Sequence, residues 1–384
     1  MADLWQSATR RVASRNTRLS VVAAGDCPGR SLDRYIGPLL EAAGPLRGRF
    51  IDVCGWDGSL AAVAASADDA VGVCNSHLIG SVRSARANLK GTSCEVRPAF
   101  GIEPAQTERF DVAFIRAPYW LGNRAVRTLV HAALLSLQEG GEVYLAGERS
   151  RGFDTFARLF DDAFGGFERV VVPGRIKVVR ARRTTRQLTQ GPIFASEFGE
   201  YGAMVNGWEL RVARHPAVFA DGRVDDATRM LIDCLHESTG RQLDLGCGSG
   251  LLAAAMARMS PESRIMAVDS NVAAVEVCTR TAELNGLTNV SVRPSYFGEE
   301  LRSESFDVIG CYPPFHVGPS VSHDAARRLI REAARLLKST GEFVVVQSSA
   351  QSHEGVLRKW FGQVREMARS RSHRVYSCSH PPAD

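Results

Sequence analysis

A chain of 384 residues, 45% apolar and 23% charged, is long enough for two or three domains and too balanced in composition to be disordered or fibrous. No stretch approaches the roughly 18 uncharged apolar residues that a membrane span needs. Residues 1–18 carry four arginines with no apolar run behind them, so neither a signal peptide nor a membrane segment is expected. The net charge of +5 is uneven: residues 1–190 hold 26 Lys/Arg against 19 Asp/Glu, and the remainder 21 against 23. A basic first half suits phosphate backbones, although with 4 lysines against 43 arginines the excess also fits a GC-rich coding sequence.

In chain order, short apolar runs at residues 50–53, 71–74, 112–115 and 142–146 alternate with helical patterns, and the same alternation returns at 242–245, 265–268, 308–311 and 342–347. Such alternation predicts parallel βαβ units in a doubly wound sheet. The two stretches repeat one another. Asp52-Val-Cys54-Gly55-Trp56-Asp57-Gly58 corresponds to Asp244-Leu-Gly246-Cys247-Gly248-Ser-Gly250, 192 residues on. Val96-Arg97-Pro98 and Phe110-Asp111-Val112 return as Val292-Arg293-Pro294 and Phe306-Asp307-Val308 at a spacing of 196, and Gly141-Glu142 returns as Gly341-Glu342 at 200. The expected fold is therefore α/β, with two tandem Rossmann-like domains at 1–190 and 191–384. Between them, residues 180–198 read as a polar, basic connector, and residues 201–218 alternate through Met204, Trp208, Leu210 and Val212 as a hairpin.

Nine scattered cysteines form no Cys-x-x-Cys pair and no metal-ligand spacing with histidine, which predicts reduced thiols, a cytoplasmic protein and no metal site.

In the second copy the strand at 242–245 runs into Gly246-x-Gly248-x-Gly250 and then a helix-forming run, Leu251 to Met256. Glycines there permit positive φ and let a ligand touch bare backbone at the head of a helix. The spacing Asp244-x-Gly-x-Gly-x-Gly differs from the dinucleotide pattern Gly-x-Gly-x-x-Gly and fits S-adenosylmethionine instead. Asp269 ends the next strand, where a carboxylate can accept from both ribose hydroxyls or, alternatively, cap the following helix. In the first copy Gly246 becomes Cys54, Gly250 becomes Gly58 or Ser59, and Asp269 becomes Cys74, so that copy is expected to be degenerate and to hold no cofactor.

The strand at 306–311 leads into Tyr312-Pro313-Pro314-Phe315-His316. Two prolines cannot extend a sheet ladder, and they hold a rigid loop at the carboxyl edge, where doubly wound folds bind ligands. The glycine loop, Asp269, the diproline loop with Gly318, and the hairpin with Val205-Asn206-Gly207 and Pro216-Ala217-Val218-Phe219 together resemble class I S-adenosylmethionine-dependent methyltransferases. Across nearly the whole chain the likeness is to the tandem-domain bacterial ribosomal RNA guanine-N2 methyltransferases.

The resemblance implies S-adenosylmethionine as cofactor, ribosomal RNA or a ribosomal subunit as partner, and a monomer. Asp244, Gly246, Gly248, Gly250, Asp269, Ser295 and Tyr296 would bind the cofactor, and Tyr312, Pro313, Pro314 and Phe315 would hold the target base. In that family an asparagine opens the loop, and its amide oxygen and the first proline carbonyl accept from an exocyclic amine while the aromatic ring stacks on the base. Here Tyr312 replaces that asparagine, Tyr296 stands where an Asp or Asn is common, and Ala217 and Ala227 replace glycines. Catalysis of this kind is positioning for an in-line displacement and requires neither a metal nor His316 as a base. Arg116, the counterpart of Tyr312, would serve phosphate or a base, as would the run Arg180, Arg182, Arg183, Arg186, whereas Arg327, Arg328, Arg331 and Arg335 read as a solvent face. Two alternatives stand beside this reading: a methyltransferase of a small molecule, and a non-catalytic RNA-binding module.

Overall fold

Apolar runs that strands require, and the glycine-rich turns between them, appear twice in the computed structural model. It describes residues 8–13, 18–23, 29–66, 70–101, 108–185, 198–219, 222–313, 316–317, 320–321, 323–350 and 352–380. The chain divides into two units that part at Phe198, with the segment 317–320 grouped with the first.

The first unit opens with an antiparallel pair, β1 (Ala8–Ala13) and β2 (Arg18–Ala23). Its sheet follows: β3 (Gly48–Asp52), β4 (Ala70–Asn75), β5 (Cys94–Arg97), β6 (Phe110–Arg116), β7 (Leu137–Glu148), β8 (Glu168–Val170) and β9 (Ile176–Arg182), in the order β5-β4-β3-β6-β7-β9-β8. The second unit opens with the hairpin β10 (Gly199–Val205) and β11 (Trp208–Arg214). Asn206 and Gly207, at φ 47° and 79°, form its two-residue turn, where both central residues need positive φ. Then come β12 (Arg241–Leu245), β13 (Arg264–Asp269), β14 (Val290–Pro294), β15 (Phe306–Cys311), β18 (Leu337–Ser348), β19 (Gln363–Arg369) and β20 (His373–Ser379), while the two-residue β16 (His316–Val317) and β17 (Ser320–Val321) each straddle the division between the units. The second seven-stranded sheet has the order β14-β13-β12-β15-β18-β20-β19, strand for strand that of the first.

Five strands of each sheet pair in parallel, as the βαβ pattern predicts, but β9 and β20 run the opposite way and pair antiparallel with both neighbours, so both sheets are mixed, with six strands in one direction and one reversed. The sequence reading missed β19 because an edge strand with one solvated side can be polar: its residues are largely exposed and include Arg365 and Arg369. The basic run 180–183 is likewise no free connector. Arg180 and Arg182 belong to β9 and pair with Glu168 and Glu142, Arg183 is buried, and Arg186 lies outside the described residues.

Common ancestry is also written in the backbone. Arg49 N–H donates to Asp111 Oδ2 at 2.7 Å, and Arg241 N–H donates to Asp307 Oδ2 at 2.9 Å. The glycine before each arginine has positive φ and lies so close to the carboxylate that a side chain there would collide with it.

In the second unit the helix Leu251–Met259 is buried from Leu251 to Ala257. Alanine and leucine favour the helix, and each buried Leu or Met side chain contributes about 1.5–3 kcal/mol of apolar burial. Phe343 to Val346 of β18 are fully enclosed, as a strand covered on both faces must be. No helix among the described residues is long and apolar enough to cross a membrane.

Candidate cofactor and substrate site

The carboxyl edge of β12, β13 and β15 gathers the residues singled out from the sequence. After β12 the chain turns through Gly246, Gly248 and Gly250, at φ 93°, 50° and 79°. Val268 O accepts from both Gly246 N–H and Cys247 N–H, at 2.9 and 3.0 Å, which folds the turn over the end of β13. Gly250 sits against Cys278 with no room for a side chain, so the turn is pressed onto the helix Val272–Leu284. A side chain on Gly246 or Gly248 would instead meet nothing within 4 Å: the turn is open on that side.

Asp269 braces the opening. Its Oδ2 accepts from Gly248 N–H at 2.9 Å and its Oδ1 from Asn271 N–H at 2.8 Å, leaving further lone pairs on each oxygen. Asn271, not Asp269, caps the helix Val272–Leu284, accepting from Ala273 N–H at 3.0 Å. Bare backbone, open space and a carboxylate at the tip of the next strand suit the nucleoside and charged tail of S-adenosylmethionine.

Asp244 lies beneath the turn, almost wholly buried, and accepts from Ala253 N–H at 2.9 Å. Burial pushes its carboxyl up to about 8; the Ala253 N–H opposes the rise and the Asp269 charge adds to it. An unfolded carboxyl titrates near 3.9. Between these values the folded chain keeps a proton that the unfolded chain has lost, so this group's contribution to stability declines as pH rises from about 4 to about 8. In a series of thermal midpoints against pH, Asp244→Asn, which has no such proton to lose, is expected to flatten the decline. An unchanged slope would show that Asp244 ionises normally.

Ser295 and Tyr296 follow β14. Ser295 N–H donates to Asp269 O at 2.9 Å, while its hydroxyl donates to Glu300 and accepts from Gly298 N–H. The buried Tyr296 ring lies under the Arg328 guanidinium, 4.6 Å from its centroid, and Arg328 pairs with Glu299. Arg335 donates to the Gly298 and Leu301 carbonyls. Arg328 and Arg335 thus turn inward to pin the loop after β14, which corrects the expectation of a purely solvent face; Arg327 is exposed beside Asp324.

The hairpin is tied to the same region. Ala213 N–H donates to Thr281 Oγ1 at 3.0 Å, Thr281 donates to Ser249 O at 2.7 Å, and Asn271 Nδ2 donates to Ala217 O at 2.8 Å. Beyond Ala217, Phe219 is 67% exposed and meets the Tyr312 ring edge-on, with centroids 5.9 Å apart. Tyr312 is half-buried and Pro313 buried at the end of β15. Burial, with the Asp225 carboxylate adding to it, pushes the Tyr312 phenol well above its ordinary range, so it keeps its hydrogen. Pro314, Phe315 and Gly318 lie outside the described residues, as does the His316 side chain.

Phe219, singled out in the sequence with Pro216-Ala217-Val218, thus stands beside Tyr312, whereas His373, whose Nε2 lies 3.4 Å from the Tyr312 hydroxyl, was missed and carries no sequence signal, being 61 residues away.

The equivalent edge of the first unit is closed. Gly58, at φ 73°, heads the helix Ser59–Ala64 and is the counterpart of Gly250. Trp56 holds the place of Gly248, buried against His77 and Trp120 at 5.0 and 5.4 Å. Strand register aligns Asp52 with Cys74 but Asp244 with Ala267, so Ser76, not Cys74, corresponds to Asp269; the first copy is one residue shorter there. Arg116 is fully buried and pairs with Asp52 at 2.8 Å, so it is not available to RNA, a correction to the sequence reading.

Comparison with known proteins brings relatives to this geometry. The methyltransferase small domain family matches residues 209–377. Ribosomal RNA small subunit methyltransferase C of Shewanella loihica is 28% identical over 293 residues, covering 72% of this chain and 80% of that protein. The Escherichia coli protein of the same description is 32% identical over 262 residues, covering 67% and 73% respectively. A solved structure of a T. thermophilus 16S rRNA N2 guanine methyltransferase, in complex with AdoMet and guanosine, has a TM-score of 0.80 over 97% of this chain and 98% of that one at 24% identity, which extends the shared fold to nearly every residue. With 32% identity and 73% of the Escherichia coli protein covered, the chain belongs to the ribosomal RNA small subunit methyltransferase C family of class I methyltransferases.

Proposed function

We propose that this chain methylates the exocyclic N2 of a guanine in 16S rRNA with S-adenosylmethionine as donor, acting as a cytoplasmic monomer. The observation that carries this reading is the open glycine turn, braced by Asp269, on the same sheet edge as Tyr312 and Pro313. The descriptions of the Escherichia coli and T. thermophilus proteins support the RNA substrate.

When bound, the cofactor supplies an electrophilic methyl group on a sulfonium. Gly246, Gly248 and Gly250 hold its methionine end through bare backbone, with Asp244 fixing the helix start beneath them. Asp269 accepts from the ribose hydroxyls with the lone pairs its two backbone bonds leave over, and Ser295 and Tyr296 flank the adenine. The Tyr312 phenol and the carbonyls of Tyr312 and Pro313 accept from the guanine amine, which turns the nitrogen lone pair toward the transferable methyl. The resemblance would give Pro314 and Phe315 the parts of stiff shelf and stacking ring, but both lie outside the described residues. Rate comes from alignment and fixed dipoles, and the extra proton leaves to water. The first unit, with Trp56 buried in its turn and Arg116 closed onto Asp52, takes no cofactor and serves the RNA with its excess of basic residues.

Incubating the full chain with methyl-labelled S-adenosylmethionine and small ribosomal subunits, bare 16S rRNA or a metabolite extract tests this directly. Label is expected in N2-methylguanosine of the 16S rRNA. Label confined to the metabolite fraction would transfer the activity to a small molecule, and failure to bind S-adenosylhomocysteine at millimolar concentration would leave only a binding module.

A further inference from the structure

We propose that His373 is a positioning residue for methyl transfer: it takes the Tyr312 hydroxyl hydrogen and thereby makes the phenol oxygen an acceptor for the substrate amine. The proposal rests on the guanine-N2 reading above and identifies how a tyrosine does work that needs an acceptor.

An amine whose lone pair must face an electrophile has its N–H groups held by acceptors, and a phenol carries one hydrogen beside its lone pairs. If that hydrogen points into the site, it opposes an N–H donor. It needs a partner elsewhere, and the buried Tyr312 phenol does not shed it, because burial and the Asp225 carboxylate disfavour the phenolate.

His373 is placed to be that partner. It opens β20, opposite Ser348 of β18, and its ring meets the Tyr312 ring edge-on at 6.2 Å with Nε2 3.4 Å from the hydroxyl. The imidazole is held from behind: Nδ1 is 2.9 Å from Ser372 Oγ. With Nδ1–H donating to that hydroxyl, Nε2 is bare and faces Tyr312, the usual way one ring nitrogen's bond sets the other's role. The turn itself is locked, since His373 N–H donates to Ser370 Oγ at 3.0 Å and Ser370 N–H to His373 O at 2.8 Å. On the other side of Tyr312, Phe219 meets the ring edge-on. Of the two rings that meet Tyr312 edge-on, His373 is the one that carries an acceptor.

The test uses the full chain, labelled S-adenosylmethionine and small ribosomal subunits lacking the methyl group. His373→Phe keeps a flat ring and removes the acceptor; kcat is expected to fall about tenfold, the worth of one hydrogen bond, with KM for subunits within threefold. His373→Gln, which restores an acceptor, is expected to recover kcat to within threefold of wild type. In the protein without substrate, imidazole nitrogen NMR is expected to show His373 with Nδ1 protonated and Nε2 bare, and Tyr312→Phe to shift the Nε2 resonance. Wild-type kcat in His373→Phe, or a protonated Nε2, overturns the proposal. If the wild-type chain leaves subunits unlabelled, the guanine-N2 reading fails instead, and the NMR result still decides whether His373 holds the phenol hydrogen.

Discussion

Asp269→Ala is expected to weaken binding of S-adenosylhomocysteine by a hundredfold or more, measured by isothermal titration calorimetry on the full chain. The carboxylate has two jobs that alanine ends together. It holds Gly248 N–H and Asn271 N–H, at 2.9 and 2.8 Å, and so fixes the open turn relative to β13. In the proposed function it also offers its remaining lone pairs to a ribose. Hydrogen bonds to a charged group are worth about 1.5–3 kcal/mol each, and every 1.4 kcal/mol is about tenfold in affinity, so losing even two such bonds reaches a hundredfold. Asp269→Asn keeps one acceptor oxygen and is expected to fall between the two. Affinity for Asp269→Ala within threefold of wild type would mean that the nucleoside sits elsewhere on the sheet edge.

That the loop could be picked out before the fold was known has a physical reason. Positive φ at Gly246, Gly248 and Gly250 demands glycine, and a strand end demands an acid only where something must be accepted, so both leave a mark on residue type at fixed spacing. The parallel strands were legible for a similar reason, since burial on both faces requires unbroken apolar runs such as Phe343 to Val346. What stayed hidden is pairing over distance. Tyr312 and His373 are 61 residues apart, and Asp52 and Arg116 are 64 apart, and no periodicity joins them. The Arg-rich β19 was hidden because a solvated edge strand asks little of its side chains. Ser76 was misaligned as Cys74 because sequence offsets alone cannot say on which side of a strand a residue was lost, whereas sheet register can.

The buried Asp52 and Arg116 pair gives the first unit its own sharp expectation: Asp52→Ala should destabilise that unit by about 3–5 kcal/mol, the usual cost of stranding one buried charge. For a unit of this size each kcal/mol moves the unfolding midpoint by roughly 2–4 °C, so a drop near 10 °C is expected by calorimetry. Both side chains are fully enclosed, and even in the intact pair Arg116 Nε and Nη1 have no hydrogen-bond partner among the described residues. The pair is therefore not optimised, and an apolar replacement of both members should do better than loss of one. Asp52→Leu combined with Arg116→Met is expected to return the midpoint to within a few degrees of wild type or above it. Because Asp52 stands where Asp244 stands in the second unit, the comparison also separates the roles of the two copies. Affinity for S-adenosylhomocysteine should stay within threefold in Asp52→Ala if, as proposed, the first unit takes no cofactor. A midpoint shift under 3 °C would show that the guanidinium reaches water when its partner is removed, and a large loss of affinity would show that the first unit's turn opens to a ligand after all.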